Sequence, residues 1–135
     1  MAQRLLSLLR IVAAFLYLTH GAHKLFGFPG AAPPVPLVSL AGLGGVIELV
    51  GGALLVLGLF TRPAACVAAV EAAVTFAIVQ FRQGSWPVLN HAEIALLYTF
   101  LFLYMAFAGP GPWSLDRRMP PPPDELRTTG ARRLK

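Results

Sequence analysis

The stretch GGVIELVGG, residues 44–52, decides the fold, because it places Glu48 inside an otherwise uncharged apolar run from residue 37 to residue 60. Such a run is long enough to cross a bilayer, which takes about 20 residues. The positions three and four away from Glu48 on either side are all glycine, and in a helix they lie on the same face as Glu48. Since small residues allow transmembrane helices to pack closely, this face is predicted to contact other helices and Glu48 to point inward.

Composition and apolar patterning together indicate a membrane protein. Of 135 residues, 56% are hydrophobic and 13% are charged, and the mean hydropathy is +0.67. Apolar runs predict four helices, at about residues 5–28, 37–60, 63–81 and 91–108. Short loops between successive helices favour antiparallel neighbours, so the predicted fold is an all-α, integral membrane, up-down four-helix bundle occupying residues 1–118.

The first apolar run has an alternative interpretation as a secretory signal peptide, since Arg4 and Arg10 precede a short apolar stretch. Cleavage after Ala22 would place His20 where a small residue is preferred, and no soluble domain follows. A first transmembrane helix accounts for more of the sequence.

The distribution of basic residues predicts the orientation. With four spans, only Lys24 and Arg82 lie on the outer side, and the other nine basic residues lie on the side of both termini. This bias predicts that both termini are cytoplasmic. Because the positive charges lie at membrane edges and in a tail, they do not indicate a nucleic-acid-binding module.

Two further features limit the chemistry of the chain. Residues 119–135 combine a polyproline run with scattered charges, and are predicted to form a disordered basic cytoplasmic tail. Cys66 is the only cysteine, which excludes an intramolecular disulfide and a dithiol relay within this chain.

Three carboxylates fall within the apolar runs. Glu71 lies near mid-depth in the third helix, as Glu48 does in the second, and if the two face each other, repulsion leaves one of them holding a proton near neutral pH. Glu93 begins the fourth helix at the outer end, where a helix N-terminus favours a carboxylate. An ion pair between Lys24 and Glu93 is expected at the outer mouth, and the charges can serve either function or helix pairing.

Polar side chains also gather on the first helix. Tyr17, His20 and Lys24 are spaced three and four residues apart and therefore share one face. Lys24 has the alternative of extending its ammonium group to the outer membrane surface. His20, His23 and His91 all lie at the outer end, but no recognised metal-ligand spacing is present, so no metal site is predicted.

Five short motifs resemble the DoxX family. They are GAHKLFG at residues 21–27, IELVGG at 47–52, LGLFTR at 57–62, NHAE at 90–93 and GPGPWSLD at 109–116, and the resemblance covers about residues 8–118. Membership would imply a small four-helix protein of the bacterial or archaeal cytoplasmic membrane. Relatives include small subunits associated with thiosulfate:quinone oxidoreductase and terminal quinol oxidase systems. By matching position, the resemblance carries over Lys24, Glu48, Arg62 and Glu93 as candidate functional residues.

The leading functional hypothesis is a subunit of a quinone-linked redox complex in the inner membrane. A quinone head would be held by Tyr17, His20, Lys24 and Glu93, with Glu48 exchanging protons deeper in the membrane. Glu71 and Arg62 are further ligand-binding candidates. No covalently bound cofactor is expected, and electrons would have to come from a partner protein.

Two other classes of function remain open. The chain can be a non-catalytic anchor or assembly subunit, whose buried charges serve helix pairing or partner docking. It can also be a transporter of a small solute or of protons, for which four helices would need to form a homo-oligomer. Whether the chain is an enzyme is not decided by its sequence.

Overall fold

A computed structural model describes residues 1–84 and 86–119, and this part of the chain contains helices and no strands. The helices are α1 (Ala2–Phe26), α2 (Leu40–Leu57), α3 (Thr61–Gln83) and α4 (Ala92–Ala108), followed by a short 3-10 helix at Asp116–Arg118. Each α-helix packs against the next one in the chain. The predicted disordered tail, apart from Met119, lies outside the described residues.

The exterior of the bundle is suited to lipid. Helices α1, α2 and α3 are long and apolar enough to cross a membrane, and α4 is a shorter apolar helix of 17 residues, about 26 Å long. Large apolar side chains face outward along the bundle, for example Phe15, Val50, Val70, Phe100 and Phe107. The predicted all-α membrane bundle is confirmed. The side of the membrane on which the termini lie stays a prediction.

Small residues allow the helices to approach closely in the core. Alanines of α1 and α3, including Ala14, Ala65 and Ala68, are fully buried beside Leu55 of α2 and Phe102 of α4. Without a hydrophobic driving force between helices in lipid, such close packing is a main source of association. The core therefore lies along the bundle axis, where all four helices meet.

The glycine face of α2 contacts α1, as the sequence predicts. A Cβ atom at Gly21 of α1 would lie 2.6 Å from the carbonyl oxygen of Gly45 and 2.5 Å from the backbone nitrogen of Leu49. A Cβ atom at Gly52 would lie 2.9 Å from Cα of Leu18. The two backbones thus touch at glycines on both helices, and Glu48 points into the bundle with 5% of its surface exposed.

The side chains of Ser39 and Asn90 accept hydrogen bonds from backbone N–H groups at the starts of α2 and α4. The side chain of Ser39 accepts a hydrogen bond from Gly42 at 3.0 Å, and Asn90 Oδ1 accepts one from Ala92 at 3.0 Å. Both satisfy N–H groups that lack partners at a helix start. Asn90 lies one residue before His91, the N-cap residue of α4, whose own side chain makes no capping hydrogen bond.

Arg10 is not the boundary cation that its place in the sequence suggests. It is fully buried, and its guanidinium donates to the backbone carbonyls of Leu55, Val56, Pro110 and Trp113. The first two acceptors are at the C-terminal end of α2, where a positive charge is favourable, and the others follow α4. Arg10 therefore joins three parts of the chain at the end of the bundle where α1 begins.

The segment after α4 folds back to cap α3. Asp116 accepts hydrogen bonds from the backbone N–H groups of Phe60 at 2.7 Å and Thr61 at 2.8 Å. The N–H groups of Leu115 and Asp116 donate in turn to the carbonyls of Leu57 and Gly58. These contacts and those of Arg10 lie at the same end of the bundle. The start of α1, the turn between α2 and α3 and the segment after α4 therefore meet there, as expected for four antiparallel helices.

Because of the cap formed by Asp116, the stability of the protein should fall as the pH becomes acidic. Partial burial raises the pKa of Asp116, but hydrogen bonds from Thr61 and Phe60 and the nearby charge of Arg10 outweigh it, so the pKa lies below its ordinary value of 3.8. A lowered pKa in the folded state contributes stability above that value, which is lost as pH falls through the folded pKa. We expect Asp116→Asn to unfold more easily at neutral pH and to lose less stability than the wild type on acidification.

The measurement is the thermal unfolding midpoint of both proteins in the same detergent, between about pH 7 and about pH 3. Other carboxylates titrate in both proteins, so the difference between the two curves isolates Asp116. Parallel curves with a constant offset would show that the charge of Asp116 makes no contribution.

Candidate functional site

The central contact of the site is an ion pair between Lys24 of α1 and Glu48 of α2. Lys24 Nζ lies 2.8 Å from Glu48 Oε1, and the side chains are 29% and 7% exposed. The absence of a side chain at Gly45, which lies against Cβ of Lys24, lets the two helices approach closely enough for this contact. Lys24 therefore turns into the bundle, and the predicted pair with Glu93 is wrong.

Glu71 of α3 belongs to the same cluster. Tyr17 donates a hydrogen bond to its Oε2 at 2.8 Å, and Thr75 donates one to its Oε1 at 2.8 Å. A Cβ atom at Gly44 would lie 3.1 Å from Oε1 of Glu71 and 3.8 Å from Nζ of Lys24. The carboxylates of α2 and α3 thus flank one lysine, although the sequence left the direction of Glu71 open.

The cluster borders a cavity of about 160 Å³ between the four helices. Its walls come from all four helices: Tyr17, His20, Lys24, Glu48, Glu71, Ala72, Thr75, Ile94, Ala95 and Tyr98. Tyr98 contacts the rings of Tyr17 and His20, with ring centres 5.5 Å and 6.1 Å apart. Five residues predicted from the sequence to serve a site are therefore brought together here.

One oxygen of Glu48 makes no hydrogen bond within the cluster. Among the described residues, Glu48 Oε2 is buried without a hydrogen-bond partner, while Oε1 is paired with Lys24. A buried acceptor left unpaired costs about 1 to 3 kcal/mol. Glu48, which lines the cavity, therefore carries one acceptor that the described residues leave unused.

A wider groove lies between α2 and α3 on the outside of the bundle, with a volume of about 700 Å³. Its walls are almost entirely aliphatic, and the exceptions include Lys24, Glu71 and Thr75, which also line the inner cavity. Several of the wall residues are largely exposed and face the lipid. The polar cluster therefore lies between a small cavity lined by all four helices and a wider groove on the outside of the bundle.

Other predicted candidates lie away from the cluster. Glu93 is exposed and does not line the cavity, and Arg62 is exposed beside Gly109 near the opposite end of the bundle. His23 and His91 are exposed as well. Within residues 1–84 and 86–119, no three His, Cys, Asp or Glu side chains come together as metal ligands.

Two residues of the site, Thr75 and Tyr98, were not predicted from the sequence. Thr75 lies four residues after Glu71 and so shares its helix face, which is a signal that the sequence contained. Tyr98 lies in the middle of the most apolar part of α4, where a hydroxyl group is unusual. Only the packing of α4 against α1 shows that its ring lies beside Tyr17.

Comparisons with known proteins support a membrane family. The DoxX family model matches residues 5–80. The chain is similar to a protein of Haemophilus influenzae, 41% identical over 122 residues, covering 84% of this chain and 89% of the relative. It is also similar to a membrane protein of Mycobacterium tuberculosis, 29% identical with coverage of 82% and 78%, and to the inner membrane protein YphA of Escherichia coli, 30% identical with coverage of 84% and 89%. No solved structure matches the chain.

Proposed function

This chain belongs to the DoxX family of membrane proteins, and on that premise we propose that its buried cluster binds the head of a membrane quinone in a redox complex. The observation that carries the proposal is the position of Lys24, Glu48 and Glu71. Lys24 and Glu71 line both the small cavity and the groove open to lipid, and Glu48 lines the cavity, so a membrane-soluble ligand has a route to the cluster from the bilayer.

The cluster contains a hydrogen-bond donor for the carbonyl oxygen of a quinone and an acceptor for the hydroxyl group of the quinol. Lys24 has three N–H donors and uses one on Glu48, so donors remain for a carbonyl oxygen. Glu48 Oε2 has no partner in the described structure and accepts from a hydroxyl group. A bound quinone would take up two electrons and two protons at its oxygens to become the quinol, and the quinol would release them on oxidation.

The surrounding side chains suit proton exchange. Glu48 is the residue that holds or releases a proton, because one of its oxygens faces Lys24 and the other is unpaired. Glu71 is held in place by the hydroxyl groups of Tyr17 and Thr75, and it serves as a second acceptor beside Lys24. Electrons would be exchanged with a partner redox protein in the inner membrane, the location named for the relative from Escherichia coli.

We expect Glu48→Gln to weaken binding of a quinone analogue by about tenfold or more, because the variant loses the charge that holds Lys24 in place. Binding is measured by titrating purified protein in mild detergent. Glu93→Gln is the matched variant, since it neutralises an exposed carboxylate outside the cluster, and its affinity should stay within about twofold of the wild type. Absence of quinone binding in the wild type, or equal losses in both variants, would contradict the proposal.

A second candidate function is that of a non-catalytic anchor, in which the cluster holds the helices together. It is supported by the contacts that Lys24, Glu71 and Tyr17 make within the chain. In that case Glu48→Gln should lower thermal stability and the recovery of complexes, while electron transfer per assembled complex stays normal. Measuring stability and quinone binding on the same preparations separates the two functions.

A further inference from the structure

We propose that the groove between α2 and α3 holds the hydrocarbon tail of the ligand whose head binds the Lys24–Glu48–Glu71 cluster. The inference rests on the proposed function, and it adds the ligand class: a quinone with a long aliphatic or isoprenoid chain. The groove and the inner cavity share Lys24, Glu71 and Thr75, so head and tail sites are continuous.

The shape of the groove matches a chain that lies along the helices. On α3 it extends from Cys66 to Arg82, which at 1.5 Å per residue is about 24 Å. The hydrocarbon part of a bilayer is about 30 Å thick. A chain in this groove therefore remains within the apolar part of the membrane over most of its length.

The chemistry of the walls also selects an aliphatic occupant. Val67, Val70 and Val74 follow one another on the face of α3 that flanks Glu71, and Leu43 and Ile47 form the facing wall on α2. Branched aliphatic side chains offer close packing contacts and no hydrogen bonds. Apart from Lys24, Glu71, Thr75 and Arg82, the side chains of the groove offer a polar solute little to hydrogen-bond with, whereas a lipid chain gains contacts along their length.

Gly44 lies at the junction between groove and cluster. A Cβ atom there would lie 3.1 Å from Oε1 of Glu71, which is tighter than an ordinary van der Waals contact. The missing side chain leaves the carboxylate and Lys24 accessible from the groove. The opening next to Gly44 is where the head of the ligand would join its tail.

The test compares two ligands with the same quinone head, one with a long isoprenoid tail and one without a tail. In the wild type, the long-tailed ligand should bind about tenfold more tightly or better. Val70→Trp, which fills the groove, should remove this advantage and leave the affinity for the tail-less ligand within about twofold. Val70 is 63% exposed to lipid, so a larger apolar side chain is compatible with folding, and Val74→Trp provides a second groove variant.

Val50→Trp is the matched control, because Val50 is 54% exposed on α2 and lines neither cavity. It should change neither affinity. Equal affinity of the two ligands for the wild type would mean that the groove does not bind the tail, and would overturn the inference while leaving the proposed head site intact. Equal losses for both ligands in Val70→Trp would also overturn it. If neither ligand binds to the wild type, the proposed function fails and this inference with it.

Discussion

Replacing Arg10 with glutamine is expected to lower the free energy of unfolding by at least about 3 kcal/mol. The guanidinium donates to two carbonyls at the end of α2 and to the carbonyls of Pro110 and Trp113. A glutamine amide has only two N–H donors on a shorter side chain, so at least two of these buried carbonyls lose their partner. The positive charge at the C-terminal end of α2 is lost as well.

The measurement is chemical unfolding in mild detergent, followed by far-ultraviolet circular dichroism. Arg4→Gln is the matched control, because Arg4 is an exposed arginine in the same helix and its replacement removes the same charge from the same end of the bundle. Arg10→Lys keeps the charge but not the planar set of donors, and should be intermediate. Similar stability of Arg10→Gln and Arg4→Gln would refute the role assigned to Arg10.

The helical core and the inward direction of Glu48 could be predicted because the information is local. Four apolar runs and the glycines around Glu48 depend on spacing within one helix, and the structure follows them. The predicted ends of the four helices lie within three residues of the observed ends for the same reason. Turn residues such as Gly58 and Asn90 also act within a few positions of their place in the chain.

The direction of the basic side chains was not predictable in this way. Arg10 and Lys24 each lie near one end of α1, where a cation ordinarily extends to the membrane surface. Both turn inward because distant segments provide their partners: the carbonyls after α4 for Arg10, and Glu48 of α2 for Lys24. α4 ends just before the prolines and glycines of residues 109–112, and the fold-back of the following segment depends on contacts with residues distant in sequence.

The carboxylates show the same division between local and distant information. The large side chains of Val67 and Val74 beside Glu71 gave no clear inward face. Its direction is determined by a hydroxyl group of α1, that of Tyr17, which is 54 positions away in sequence. Glu93 was grouped with Lys24 because both are near the outer end, yet depth alone does not specify which helix faces lie together.

The two ends of the bundle therefore differ in a manner that suits a ligand site. At one end, Arg10 and Asp116 fix the chain through hydrogen bonds to backbone groups. Toward the other end, Lys24 is partly exposed and an oxygen of Glu48 is unpaired among the described residues. A rigid base of this kind keeps the helices in register and so preserves the geometry of the cluster.

The second large effect is expected at the contact between α1 and α2, where Gly21→Ala should lower the free energy of unfolding by about 1 to 3 kcal/mol. The new methyl group would lie 2.5 Å from the backbone nitrogen of Leu49 and 2.6 Å from the carbonyl oxygen of Gly45. Backbone atoms cannot rotate away as a side chain can, so the two helices must move apart. That movement would also lengthen the contact between Lys24 and Glu48, so quinone binding should weaken together with stability.

Gly51→Ala is the control for this substitution, since Gly51 belongs to the same glycine pattern around Glu48. A Cβ atom at Gly51 would lie 4.0 Å from a ring carbon of Tyr17, which is an ordinary van der Waals contact. Alanine is also the better helix former by about 1 kcal/mol, so this variant should be as stable as the wild type or slightly more stable. Thermal unfolding and quinone titration of both variants check the prediction. If Gly21→Ala and Gly51→Ala prove equally stable, the close contact of the two backbones does not determine how α1 and α2 pack.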